Sequence, residues 1–238
     1  MENDNKNLNR YKFSIIVPVL NETDKINPFI EHLRNLESNE DYEIIVVDGN
    51  PVGRTISAIN YKGIRTIIAE KGRAKQMNAG AYIARGEILI FLHVDTLLPV
   101  DALSKISKVL KQRQYIGGAF DLGIGSEKII FKIIAYFASI RSRLTRIPYG
   151  DQAIFIRKDY FNKIGGYQEI PLMEDVELMH RIKKERGKIC ILSDRVITSP
   201  RRWEKEGIIY CTLRNWVISI FYFIGVSPNK LTKFYYKD

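Results

Sequence analysis

The sequence predicts an α/β protein: a doubly wound, mostly parallel sheet flanked by helices and followed by a helical C-terminal extension. Three observations point there. Short β-branched apolar runs alternate with longer stretches whose apolar residues recur at helical spacing. The links between them are short. The runs are apolar throughout, as strands covered on both faces are, and do not alternate with polar residues.

The first strand is Phe13–Val19 (FSIIVPV). Over 21–36, Ile26, Phe29, Ile30, Leu33 and Leu36 share one helical face, with Thr23 or Asp24 as the cap. A second buried strand over 43–47 (EIIVV) ends at Asp48-Gly49, and a short third lies at 66–69. A small-residue helix over 74–84 leads to a fourth strand, 87–92, which runs into His93-Val94-Asp95, and a helix over 100–112 follows. The second half is less regular. It predicts a strand at 117–124, an apolar helix at 128–143, a strand at 153–157 and helices at 158–164 and 175–185. Strands at 188–192 and 196–198 then precede a long aromatic-rich helical stretch over 207–226. Residues 1–10 read as a frayed tail, 11–203 as one catalytic-sized domain and 204–238 as an apolar, basic helical extension.

Composition narrows the class. An apolar fraction of 45% with 11% aromatics excludes a disordered chain, and 8 prolines with 16 glycines exclude a collagen-like one. Cys190 and Cys211, the only two cysteines, exclude a disulfide framework and a Cys-rich zinc site, so a reducing compartment is expected. The first ten residues are polar, with Glu2 and Asp4 where a secretion signal would be basic, so no such signal is expected. The formal charge of +10 points to nucleic acid, nucleotide phosphates or an anionic membrane as partner.

In doubly wound sheets, ligands bind beyond the carboxyl ends of the strands. Here those ends carry Asn21 and Glu22, then Asp48, then His93 and Asp95. The first strand is followed by Leu20-Asn21-Glu22 with no glycine fingerprint, and no Walker A sequence exists, which argues against nicotinamide enzymes and P-loop NTPases. Asp95 suits a divalent cation held against two phosphates, with His93 touching phosphate or metal; a helix cap and a structural histidine are the plain alternatives. Glu174-Asp175 opens a helix and suits a general base for an acceptor hydroxyl, though a helix start favours carboxylates in any protein. Lys71, Arg73 and Lys75 oppose the dipole of the helix they begin, which makes sense if they share an anionic ligand such as a diphosphate; a solvated loop is the alternative. Arg201-Arg202-Trp203 reads as a guanidinium clamp with an aromatic beneath, or as a surface turn.

Together, SIIVPVLNE at 14–22, EIIVVDG at 43–49, GRAKQMNAGA at 72–81, GEILIFLHVDT at 86–96, GDQAIFIRKDYFNKIGGY at 150–167 and MEDVEL at 173–178 resemble family 2 glycosyltransferases of the GT-A fold. The order and spacing of these segments carry the resemblance, over about residues 12–203. SPRRWEKEG and the later GVSP look like a subgroup of small, stand-alone bacterial and archaeal members. The resemblance implies a mixed, mostly parallel sheet, a nucleotide-diphosphate sugar donor, a divalent metal (Mn²⁺ or Mg²⁺) and in-line displacement with inversion onto a hydroxyl acceptor. It implies that Pro18, Glu22 and Asp48 line the nucleoside pocket and that Arg73 and Asn78 lie near the nucleotide. Asp95 matches the last carboxylate of the family's Asp-x-Asp metal motif. Asp175 matches its catalytic base, with Glu174 beside it. Arg201, Arg202 and Trp203 are similar to the Gln-x-x-Arg-Trp element of processive members, but the Gln is not matched, so processivity is not expected. Two departures stand out. His93 replaces the first Asp of the metal motif, and Asn50-Pro51-Val52-Gly53-Arg54 replaces an Asp-containing turn.

A sugar nucleotidyltransferase is the alternative enzyme, weakened by the lack of glycine over 19–23; a non-catalytic membrane- or nucleotide-binding module is the other. The charge distribution favours a membrane over nucleic acid. Residues 128–146 hold five basic and no acidic residues, and 195–238 hold eight basic and three acidic, so each carries +5 and the remainder is balanced. No alternation of aromatic and basic residues suits a nucleic-acid surface. The excess flanks the two most apolar helical stretches. That predicts a cytoplasmic enzyme, peripheral on the inner face of the membrane, with a lipid-linked or membrane-proximal acceptor. The stretch over 207–226 is borderline for a span and is expected to be core-packed or interfacial.

Overall fold

The computed structural model describes residues 11–235; the expected tail at 1–10 and residues 236–238 lie outside the described residues. Strands β1 (Phe13–Val19), β2 (Tyr42–Asp48), β3 (Arg65–Ile68) and β4 (Ile88–Phe91) pair in parallel in the order β3-β2-β1-β4. All of β1 is buried, because successive side chains enter different cores. Phe13, Ile15 and Val17 pack with Ile26, Phe29, Ile30 and Leu33 of α1 (Thr23–Arg34) and with Leu103 and Ile106 of α4 (Ala102–Leu110). Ile16, with Ile45 and Val47 of β2, faces Ala74, Met77 and Ala81 of α3 (Arg73–Ile83). The small residues of α3 let its backbone lie close on the sheet: a Cβ at Gly80 would run into Ile16 Cγ2 at 2.5 Å.

A short α2 (Arg54–Ser57) follows β2, and β5 (Thr96–Leu97) follows β4. The second half supplies β6 (Tyr115–Ile124), α5 (Ile129–Thr145), β7 (Ile154–Arg157), α6 (Lys158–Lys163), α7 (Glu174–Lys184) and β8 (Lys188–Thr198). The sheet order is β3-β2-β1-β4-β7-β6-β8-β5. β7 runs antiparallel to β4 and β6, β8 runs parallel to β6, and β5 runs antiparallel to β8. The mixed, mostly parallel α/β sheet is therefore as expected. From β1 the chain builds outward through β2 and β3, then returns to the other side of β1 with β4. The carboxyl ends of β1 and β4 thus flank a topological switch point, where such sheets bind ligands.

Several local expectations need correction. The strands expected at 188–192 and 196–198 are one strand, β8, in which a register shift against Phe120 and Asp121 accommodates Ser193 and Asp194. Neither Thr23 nor Asp24 caps α1; Glu22 holds the cap position without a side-chain bond. The Arg201-Arg202-Trp203 segment is the first turn of a helix, α8 (Arg201–Glu206). Within the helical extension, the apolar stretch forms α9 (Ile208–Phe223), and a separate helix α10 (Pro228–Tyr235) follows it.

Candidate active site

A cleft of about 710 Å³ opens at the switch point. Pro18 and Glu22 enter it from the end of β1, Lys71 and Arg73 from the start of α3, and His93 and Asp95 from beyond β4. Glu174 and Asp175 come from the start of α7, and Arg201, Arg202 and Trp203 from α8. Ten of the twelve residues expected at the site therefore share one cavity.

Its centre is an ion cluster. The Arg201 guanidinium donates to both oxygens of Glu22, at 3.0 and 3.2 Å, and to Asp95 Oδ2 at 3.0 Å. Lys25 also pairs with Glu22. The backbone fixes this geometry: Ser199 N–H donates to the Asp95 carbonyl at 2.9 Å, so the end of β8 is pinned beside the end of β4 and α8 starts over the cleft. Burial raises the Asp95 pKa, and Glu22 pushes in the same direction.

A second group gathers around the Gly150 turn. Asp175 Oδ2 accepts the Gly150 N–H and Oδ1 accepts the Val176 N–H, so two backbone donors orient the carboxylate while further lone pairs stay open. Gly150 sits between two functional side chains. A Cβ there would lie 3.1 Å from His93 Cε1 and 3.4 Å from Asp175 Oδ2. Burial, reinforced by Arg73, lowers the His93 pKa to about 3, so its imidazole is neutral. Glu174 is buried at 3.6 Å from Arg73, and burial raises its pKa against the pull of that guanidinium. Of the cations at the start of α3, Lys71 and Arg73 face the cleft while Lys75 pairs with Glu70.

Three non-glycine residues with left-handed backbone adjoin these groups: Asn21 (φ 56°) before Glu22, Ala153 (φ 49°) after the Gly150–Gln152 turn, and Met173 (φ 67°) before Glu174. Such conformations cost about 1–3 kcal/mol each and cluster where function needs a side chain aimed. Trp203 packs edge-on against Phe131, ring centroids 5.9 Å apart, and its buried Nε1 has no hydrogen-bond partner among the described residues. Asn215 Oδ1, also from a cleft residue, is likewise unpartnered.

Two expected residues stand behind the cleft. Asp48 is fully buried and accepts backbone N–H groups from Asn50 (2.9 Å), Thr55 (2.8 Å) and Ile56 (3.3 Å). Thr55 Oγ1 in turn accepts the Glu22 N–H at 3.1 Å, so Asp48 acts on the cleft through Glu22. Asn78 exchanges two hydrogen bonds with the Tyr167 backbone, at 2.8 and 2.9 Å, tying α3 to the loop after α6. Asp48→Ala would strand three buried or half-buried donors. We expect a stability loss of about 2–4 kcal/mol, read as a lower denaturant midpoint at unchanged m-value.

Sequence reasoning missed Asp151 and Gln76. Asp151 faces the cleft from the Gly150–Gln152 turn; burial pushes it up to about 6, with Arg141 pulling down and Asp175 and Asp95 pushing up. Gln76 Nε2 donates to the Val19 and Val47 carbonyls, both at 2.8 Å, and so bridges the ends of β1 and β2. Its place in the GRAKQMN segment was the available signal.

Among the described residues, no group of three or more His, Cys, Asp or Glu side chains is arranged to hold a metal ion. Asp95 and neutral His93 offer one carboxylate and one imidazole. That set fits only the mode in which substrate phosphate oxygens complete the shell, which is the usual mode for Mg²⁺ at phosphate sites.

The model of the family described as glycosyl transferase family 2 matches residues 14–167. The chain belongs to glycosyl transferase family 2. Its matched span runs from β1 through α6 and contains Pro18, Glu22, Arg73, His93, Asp95 and the Gly150 turn; α7 and α8 lie beyond it. Among family relatives, the chain is similar to an uncharacterized glycosyltransferase of Haemophilus influenzae, 25% identical over 72% of this chain and 62% of that protein. It is also similar to a poly(ribitol-phosphate) beta-glucosyltransferase of Bacillus spizizenii, 30% identical over 43% of this chain and 18% of that protein. The chain thus spans less than two thirds of the length of these curated relatives. In fold it is similar to the mannosyltransferase PcManGT from Pyrobaculum calidifontis in complex with GDP-Man and Mn²⁺, with a TM-score of 0.62 and 19% identity over 79% of this chain and 56% of that one. S. aureus TarS gives a TM-score of 0.58 and 16% identity over 94% of this chain and 42% of that one. The family 2 fold expected from the sequence, GT-A, is the fold observed.

Proposed function

We propose that the protein transfers a sugar from a nucleotide-diphosphate donor to a hydroxyl acceptor, with inversion at the anomeric carbon. The observation that carries this reading is the presence in one cleft of four cations, Lys71, Arg73, Arg201 and Arg202, together with Asp175, whose carboxylate is held by backbone donors. The cations suit a diphosphate leaving group, whose negative charge grows as the glycosidic C–O bond breaks. Asp175 suits the acceptor side: the acceptor oxygen attacks the anomeric carbon from the face opposite the diphosphate, and the carboxylate takes its proton. Glu174 pairs with Arg73 and sets where that guanidinium sits. Pro18 and Glu22 form the nucleoside side of the cleft, and Trp203 supports α8 beneath the two arginines. A divalent cation, held by Asp95 with His93, would add Lewis-acid stabilisation of the departing diphosphate. The GDP-Man and Mn²⁺ bound to the Pyrobaculum enzyme of the same fold support both the donor class and the metal.

The acceptor in this reading is lipid-linked or membrane-proximal and the protein is peripheral on the membrane's inner face, which the basic excess over 128–146 and 195–238 supports. A thermal-shift panel of nucleotide sugars, each with Mn²⁺ or Mg²⁺, tests the donor. At about 100 Kd the right donor adds about 2.7 kcal/mol, a rise in Tm of roughly 5–10 °C for a chain of this size. The same mixture with acceptor should release nucleoside diphosphate. No shift with any donor, together with pyrophosphate release from a nucleoside triphosphate and a sugar phosphate, would assign nucleotidyl transfer instead.

A further inference from the structure

We propose that the outward faces of α5 and α9 form a docking surface that seats in the interfacial layer of an anionic lipid bilayer. On α5, Ile129, Ile133, Tyr136, Phe137 and Leu144 recur at helical spacing and are exposed, while Phe131, Ala135, Ser139 and Ser142 turn inward. On α9, Cys211 and Ile218 turn inward, and Ile209, Leu213, Trp216, Val217, Ile220 and Ile224 just beyond its end face out. The one charged residue of α9, Arg214, has a side chain only 8% exposed and pairs with Glu206. The outer face of α9 therefore carries no charge. The two helices meet on their inner side, where Ile208, at the start of α9, and Trp203 pack in one small cluster with Phe131 and Ala135 of α5. Large exposed apolar faces of this kind mark protein or membrane contact sites.

Charge selects the occupant. Each helix lies in a segment carrying +5, and Lys128, Arg146, Lys230 and Lys233 are exposed within those segments. Two copies meeting through this face would bring the exposed Lys128 and Arg146, at the two ends of α5, against the same charges, whereas an anionic bilayer attracts them. Aromatic residues such as Trp216 and Tyr136 suit the headgroup level. Among the described residues no helix is long and apolar enough to cross a membrane, so the helices lie on the bilayer. The face of α9 turned away from solvent supplies Asn215, Ile218 and Ser219 to the cleft. A docked α9 thus brings the cleft alongside the lipid, where a membrane-borne acceptor could enter; that consequence rests on the sugar-transfer reading, whereas the docking does not.

The test uses the full chain without donor. Co-sedimentation with phosphatidylcholine vesicles containing phosphatidylglycerol should exceed that with phosphatidylcholine alone and weaken in high salt, with a blue shift of tryptophan emission that Trp216→Phe removes. The double variant Ile133→Glu/Ile220→Glu alters exposed positions only. It should keep the wild-type circular dichroism and lose at least about tenfold in vesicle affinity. Absence of binding to the anionic vesicles, or equal binding by the double variant, overturns the docking surface. So does a dimer in solution that the same variant dissolves, which would assign the face to a second copy. Vesicle binding without sugar transfer would leave the surface standing and sink the proposed activity; transfer to a soluble acceptor without vesicle binding would do the reverse.

Discussion

Asp175→Asn should lower kcat by about 10²–10⁴-fold while leaving the donor KM within a few fold. The amide has the carboxylate's shape, but it cannot take the acceptor proton. Its oxygen can still accept one of the two backbone N–H groups that hold Asp175, from Gly150 or from Val176. Its NH₂ must then face the other donor, so a small stability loss of about 1 kcal/mol is expected beside the large kinetic one. In the proposed reading Lys71, Arg73, Arg201 and Arg202 hold the donor, so its binding is expected to survive, visible as an undiminished thermal shift with the nucleotide sugar. Glu174→Gln serves as the contrast. Glu174 is buried against Arg73, so its loss should act on the guanidinium and appear chiefly in donor KM. Single-turnover release of nucleoside diphosphate separates the two variants. Wild-type turnover in Asp175→Asn would end the assignment of Asp175 as the base.

Much of this site was legible because the fold announces where ligands go. Apolar runs such as FSIIVPV and EILIFL mark buried parallel strands, and the polar residues just beyond them, Glu22, His93 and Asp95, fall at the switch point for that reason alone. Asp48 ends a strand too, but it stands behind the cleft lining and accepts the N–H groups of Asn50, Thr55 and Ile56, and one-dimensional spacing does not show which strand-end carboxylate turns back into the chain. Asn78 illustrates the same limit on a helix, where its amide binds the Tyr167 backbone. The Gly150 turn was visible as a motif, yet Asp151 has no periodicity to mark it and draws its raised pKa from burial in the folded cleft. The strand β8 was broken in two because the Ser193-Asp194 bulge reads as a turn. Least visible was the Arg201–Glu22 pair, whose partners are 179 positions apart and meet where the β5–β8 pairing and the Ser199–Asp95 hydrogen bond bring the start of α8 beside the end of β4.

That pair defines the other large expected effect. Arg201→Ala should reduce kcat/KM by about 10²–10³-fold, the loss typical of one group removed from charge stabilisation in a transition state. The guanidinium does two things in the ground state. It spans Glu22 with a pair of N–H···O bonds and touches Asp95 with a third contact, so it holds two carboxylates together that would otherwise repel. It also stands in the cleft where a leaving diphosphate would develop charge. Arg201→Lys keeps the charge but offers a point contact in place of the fork, so it should recover only a small part of the activity. The pH profile distinguishes this role from simple loss of folding. Burial and Glu22 already raise the Asp95 pKa, against Arg73 and Arg202, and the Arg201 guanidinium 3.0 Å from Oδ2 also favours the charged form, so removing it raises the pKa further. The carboxylate then protonates at a higher pH, so the acid limb of kcat/KM in Arg201→Ala should shift upward. Glu22→Gln in the Arg201→Ala background removes the like charge and should move that limb back down. An acid limb that stays at its wild-type position in Arg201→Ala would show that Asp95 does not depend on Arg201 for its charge.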